Sequence, residues 1–174
     1  MSFKPDPEKG IKPKKVKRPI RRTPIRKSYT NSVQLKKPTA KQALMEKAVS
    51  VFNAFIRKRD ENEPCIVCGR KRQLQAGHFY PAGSYPMMKF LTDNCHGECA
   101  ECNCFDTEHL DNYRINLIKK IGIDGVKILD SHAAYSKKSI HKWTSHDLEE
   151  IIKHYTEKLN NYLIYNSRNS KRLQ

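Results

Sequence analysis

Two cysteine pairs constrain this chain more than any other feature. Cys65 and Cys68 form the first pair, Cys99 and Cys102 the second, with thirty residues between them. A C-x2-C pair can grip one metal ion with two thiolates from a tight turn. Two such pairs complete the tetrahedral S4 shell that Zn2+ accepts readily. Gly69 follows the first pair and relieves backbone strain at the turn. The stretch between the pairs has few large apolar side chains and would struggle to fold alone. Structural zinc contributes about 10–16 kcal/mol to small sites at neutral pH, enough to fix such a loop-rich segment. Cys95 and Cys104 lie close to the second pair, and either could replace a ligand there; the x2 spacing favours Cys99 and Cys102.

Helices are expected on both sides of this frame. Residues 39–60 carry Leu44, Ala48, Val51, Phe52 and Phe55 at helical spacing, and Thr39 with Gln42 fits a capping box. Arg57, Lys58 and Arg59 close that helix, where they suit its C-terminal dipole or could touch phosphates. Within the frame, RQLQAGHF reads as a short strand and MMKFLTDN as its partner. Leu110, Tyr113, Leu117, Ile118 and Ile121 make one face of a helix over residues 106–122, which Gly122 terminates. A shorter helix, capped by Asp124, is expected over 124–131. Leu148, Ile151, Ile152, Tyr155, Leu159 and Tyr162 face the core from a helix over 145–165, with Trp143 as a packing anchor just ahead.

Charge is distributed unevenly. The chain has 34 Lys and Arg against 18 Asp and Glu, a formal charge of +16. Residues 1–38 hold thirteen of the cations and only two acids, so this arm carries most of the excess. Six prolines there favour extended backbone, and the arm reads as disordered when free. Its charge favours a polyanion partner, nucleic acid above all, although a solubilising tail has the same composition. The domain organisation expected is a basic arm over 1–38, a metal-containing domain over 39–166 and a frayed tail over 167–174. No apolar run is long enough to span a membrane, and the N-terminus lacks the apolar core of a secretory signal. Cysteine pairs in such a chain suit a reducing compartment and metal binding.

His78 lies between the cysteine pairs. Closing the metal site would draw its strand towards the segment from Asp93 onward, which offers Asn94, His96 and Asn103. An imidazole and amides converging beside a rigid clip suit metal-assisted phosphodiester hydrolysis. A histidine beside a metal knuckle is, however, more often structural or a spare ligand. His132, His141, His146 and His154 lie outside the frame and read as surface or capping residues, while His109 is nearer.

Taken together, Cys-x2-Cys, Gly-His, Asn and Cys-x2-Cys-Asn resemble the HNH endonucleases, whose ββα-metal finger is often braced by zinc. FIRKRD, CIVCG, AGHFYPAG, DNCHGECAECN and YRINLIKKIG more closely resemble the NinG family of lambdoid phages, also called Rap. The resemblance covers residues 45–165. It implies an α+β fold with an HNH-like zinc-braced finger flanked by helices. It also implies an endonuclease that cuts branched recombination intermediates, Holliday junctions and D-loops. On that pattern His78 is the general base and Asn94 holds the loop presenting it. Asn103 takes a metal-binding position, and His96 is an auxiliary catalytic or metal candidate. Cys65, Cys68, Cys99 and Cys102 hold structural Zn2+, and Mg2+ or Mn2+ is the catalytic ion. One departure stands out: many HNH enzymes place a cation-binding Asp just before the base, and here that residue is Gly77. The cation then needs another ligand, with His96, His109 and Asp93 as the candidates. The partner expected is branched DNA, the location the cytoplasm of a bacterial host, and the form a homodimer, since a four-way junction needs two cuts. The rivals are a non-catalytic zinc-ribbon DNA-binding protein and an RNA-binding accessory protein.

Overall fold

The structure is a computed structural model that describes residues 37–105, 109–138 and 140–170. Helix α1 runs over Ala40–Arg59. The expected capping box forms at its start: the Gln42 amide N–H donates to Thr39 Oγ1 at 3.2 Å, and the Thr39 N–H donates to Gln42 Oε1 at 2.7 Å. Strand β1, Leu74–His78, pairs antiparallel with strand β2, Cys95–Cys99. Leu74 lies opposite Cys99, Gly77 opposite His96 and His78 opposite Cys95. Helix α2, Ala100–Phe105, follows β2 directly. Helix α3, His109–Lys138, and helix α4, Ser145–Ser170, complete the described residues. This is an α+β fold in which helices dominate and one two-stranded sheet carries the cysteine frame.

Four expectations need correction. The partner of β1 is not MMKFLTDN. That stretch forms two single-turn 3₁₀ segments, Pro86–Met88 and Thr92–Asn94, which bury Met88, Phe90 and Asn94. The true partner, CHGEC, is buried at all five positions and so lacks the apolar–polar alternation that marks a half-exposed strand. Gly122 does interrupt the helical backbone, with φ 77° and ψ 161°, but the second segment continues to Lys138 instead of stopping at 131. Leu110, expected in the core, is exposed. Helix α4 keeps its helical backbone to Ser170, four residues into the segment expected to fray. The basic arm lies outside the described residues apart from Lys37 and Pro38.

Two apolar clusters hold the domain. One joins Ile66, Val67, Leu74, Phe79 and Met88 to Tyr113, Leu117, Val126, Leu129 and Ala133 of α3. The other joins Ala48, Phe52, Phe55 and Ile56 of α1 to Leu148 and Tyr155 of α4, with Phe90 and Cys95 between them. Trp143 packs edge-on against Phe90, with ring centroids 5.2 Å apart, as a packing anchor would. The hairpin contributes residues to both clusters, so it is fixed from two sides.

A buried ion network ties α1 to the hairpin. Asp60, 2% exposed, accepts from Arg59 Nε and Nη2 at 2.7 Å each and from the Gly97 N–H at 2.8 Å. Lys120 of α3 stands 3.5 Å away. Gly97 permits this approach, because a Cβ there would lie 3.0 Å from Asp60 Cβ and 2.5 Å from Leu74 Cδ1. Arg59 also donates to the backbone carbonyls of Thr92 and Cys95. Of the three cations ending α1, Arg59 is therefore structural, and Lys58 pairs with Glu61.

Candidate metal centre and hairpin site

The four expected cysteines converge. The sulfurs of Cys65, Cys68, Cys99 and Cys102 all lie within 4.8 Å of one another, and Cys68 Sγ is 3.9 Å from Cys99 Sγ. Tetrahedral Zn–S bonds of about 2.3 Å place sulfurs about 3.8 Å apart, so the cluster has the dimensions of a metal shell and not of a disulfide. Gly69, at φ 68°, makes the turn, and its N–H donates to Cys65 O at 2.9 Å. The Cys99 N–H donates to Cys65 Sγ at 3.3 Å. Burial raises the Cys68 thiol pKa, but the Arg70 guanidinium 3.4 Å away and nearby backbone donors outweigh it and bring it down to about 6. These residues can hold a metal ion such as zinc. Cys95 and Cys104 stand outside the cluster: Cys95 Sγ faces His78, and Cys104 is exposed.

His78, the last residue of β1, is half-buried. Its Nε2 lies 2.9 Å from the Lys89 carbonyl, which can only accept, so Nε2 carries the proton and Nδ1 the lone pair. Cys95 Sγ stands 3.8 Å from Nδ1, and the Phe52 ring centroid lies 6.0 Å from the imidazole. Burial lowers the pKa of His78 and favours the neutral ring. Asn94, fully buried, clasps the connection between the strands. Its Oδ1 accepts from the Tyr80 N–H at 2.8 Å, while its Nδ2 donates to Tyr80 O at 2.9 Å and to Met88 O at 3.2 Å. The Phe79 N–H donates to Asn94 O at 2.9 Å. His78 and Asn94 thus form one group around residues 79–91.

The other two candidates belong to the opposite face. Strand alternation sets Gln75, Gly77, His96 and Glu98 together and turns His78 away from them. His96 is 2% exposed and lies against Tyr113 of α3. The Tyr113 hydroxyl donates to Gly77 O at 3.0 Å, so at 3.3 Å it accepts from His96 Nδ1 and leaves Nε2 with the lone pair. Burial, with Arg59 and Lys120 adding to it, pushes the His96 pKa down to about 3, and the ring is neutral. Asn103, on the exposed side of α2, donates from Nδ2 to Gln75 Oε1 at 2.9 Å.

Glu98 is the residue that sequence reasoning missed. Only 1% exposed, it sits on the hairpin with its carboxylate against Gly77. A Cβ on Gly77 would meet Glu98 Oε2 at 2.0 Å. The available signal was its position two residues after His96, which shares a strand face once the strand is known. Of the other cation-ligand candidates, Asp93 is exposed on a 3₁₀ turn, and His109 is half-buried at the start of α3. A cavity of about 350 Å³ opens beside Gln75, walled by Arg57, Arg72, Leu74 and Glu101. His132, His146 and His154 are exposed, as expected of surface residues, while His141 is half-buried against Trp143.

Fold and site define a small α+β protein in which four clustered cysteines beside the hairpin could hold a metal ion such as zinc. The chain belongs to the family described as bacteriophage lambda NinG protein, whose model matches residues 7–163. It is 35% identical over 117 residues to Protein ninG of Salmonella phage P22, covering 66% of this chain and 55% of that protein. Identity to Protein ninG of Escherichia phage lambda is 34% over the same length and with the same coverage. The matched stretch thus spans little more than half the length of these relatives. No solved structure matches the chain. Among the described residues, no helix is long and apolar enough to cross a membrane.

Proposed function

We propose that this chain is a divalent-metal-dependent endonuclease acting on branched DNA, Holliday junctions and D-loops, with the hairpin serving as an HNH-like finger. The observation that carries the reading is the His78 ring: neutral, aimed by the Lys89 carbonyl, and set at the end of a strand clamped by four cysteines. Nδ1 carries the lone pair, and to take a proton from the attacking water it would exchange its neighbour, the Cys95 thiol 3.8 Å away, for that water. Such a base contributes about 10²–10⁴ in rate. Mg2+ or Mn2+ would stabilise charge developing on the phosphate. Zn2+ in the four-cysteine centre would keep the strands in register. Arg57 and Arg72, on the cavity beside Gln75, would meet the DNA backbone. A branch point is a shape, and phosphate contacts with DNA deformability read shape. Two copies acting together would make the paired cuts in the cytoplasm of the phage's host.

The test is cleavage of a synthetic four-way junction with Mg2+ or Mn2+ by zinc-loaded wild type and His78→Ala. Wild type is expected to cut, and the variant to bind equally well but cut at least about a hundredfold more slowly. A second reading draws on the packing of His78 under Phe52 and against Cys95. In that reading the ring is a core residue, and the chain is a non-catalytic zinc-ribbon DNA- or RNA-binding accessory protein. Wild type that binds junctions and never cuts them would establish it, and competition with structured RNA would identify the nucleic acid.

A further inference from the structure

We infer that Glu98 supplies the carboxylate ligand for the divalent cation, with His96 beside it. The inference rests on the endonuclease reading and names the cation site which that reading needs. The geometry begins at Gly77, which has no side chain. The space a side chain would fill there is taken by Glu98, whose Oε2 lies 2.0 Å from the Cβ position and whose own Cβ lies at 2.9 Å. A carboxylate therefore stands over the residue next to His78, delivered from the neighbouring strand instead of from residue 77 itself.

His96 is the second component. It lies directly opposite Gly77 and on the same strand face as Glu98. The Tyr113 hydroxyl accepts from Nδ1 and leaves the Nε2 lone pair to the ring's other side. A ligating histidine characteristically donates its second ring N–H to a fixed acceptor in this way. On the rim, Gln75 faces Glu98 across the hairpin and holds the Asn103 amide. One carboxylate and one imidazole suffice for Mg2+ or Mn2+, because such ions keep several waters and take remaining ligands from substrate phosphate. No third His, Cys, Asp or Glu is required, and the four cysteines are the one cluster of three or more such ligands among the described residues.

The experiment is a carboxylate exchange read by Mn2+ binding. Zinc-loaded wild type, Glu98→Gln, Glu98→Ala and the double variant Gly77→Asp/Glu98→Ala are titrated with Mn2+ alone, and bound ion is followed by electron paramagnetic resonance. Junction cleavage is measured in parallel. Wild type is expected to take up one Mn2+, and Glu98→Gln to bind it about tenfold or more weakly with its zinc content unchanged. The double variant, with its carboxylate moved across the hairpin into the vacated space, should recover binding to within a few-fold. Gly77→Asp alone should not, because its side chain meets Glu98. Wild-type affinity in Glu98→Gln, or no Mn2+ uptake by wild type, overturns the inference. If wild type cuts junctions while Glu98→Gln binds Mn2+ and cuts equally well, only this inference falls. If wild type never cuts, the endonuclease reading falls, whatever Mn2+ does.

Discussion

Replacing Asp60 tests whether the ion network between α1, β2 and α3 governs stability. The carboxylate makes two bonds of 2.7 Å to Arg59 and one of 2.8 Å to the Gly97 N–H, while Lys120 stands at 3.5 Å. Burial raises its pKa, but the Arg59 hydrogen bonds and charge more than offset this and hold it below the ordinary 3.8. Asp60→Asn keeps the shape, the Gly97 bond and one arginine bond. It loses one charge-assisted bond and the ion pair, a cost of about 2–3 kcal/mol. Asp60→Ala leaves Arg59 uncompensated and the Gly97 N–H unsatisfied, and should cost about 3–5 kcal/mol. Total stability is about 5–15 kcal/mol for a domain of this kind, so either loss is large. The assay is urea unfolding of the zinc-loaded protein. With a slope of about 2 kcal/mol per molar, the midpoint should fall by about 1 M for Asn and about 2 M for Ala, at constant slope. Because the folded pKa is depressed, the wild-type advantage is complete above 3.8 and disappears only as the pH falls through the lower folded value. A midpoint change under about 0.3 M for Asp60→Ala would refute the reasoning, since that is well below the cost of an unpaired buried charge.

Two further predictions concern the metal centre and His96. Mass spectrometry of the purified protein should find one zinc per chain, lost in Cys99→Ser with cooperative folding but retained in Cys104→Ser and Cys95→Ala; zinc-free protein that stays folded in strong chelator would sink the clamp. The folded pKa of His96 lies near about 3, against about 6.5 for the unfolded chain, so the unfolded state binds more protons as the pH falls and stability drops with it. Between about pH 7 and about pH 5.5 this histidine should cost the wild type roughly 1 kcal/mol that His96→Gln does not lose. Parallel pH dependence in the two proteins would show that the ring is not buried and neutral.

The cysteine clamp was legible because ligand spacing is a local property, and two C-x2-C pairs define an S4 shell with no knowledge of what lies between them. Helix α1 was legible for a similar reason: the Thr39–Gln42 cap and one apolar stripe occur within a single continuous segment. The strand partner was not. Cys95–Cys99 is buried on both faces, and its polar members, His96 and Glu98, look like loop residues until Tyr113 and Gly77 are placed against them. Asp60 was hidden because its value depends on Gly97 and Lys120, distant in the chain. Gly77 could be read only as a missing carboxylate. That another carboxylate occupies the space is a fact of strand register, which the pattern of a fully buried strand does not reveal.

Asn94 has a bearing on how this hairpin can vary. All three bonds of its side chain end on main-chain atoms of Tyr80 and Met88. The anchoring is therefore indifferent to which side chains decorate residues 81–87. That tip can change in composition while one amide holds both of its ends, and with them the neighbourhood of the Lys89 carbonyl that orients the His78 ring.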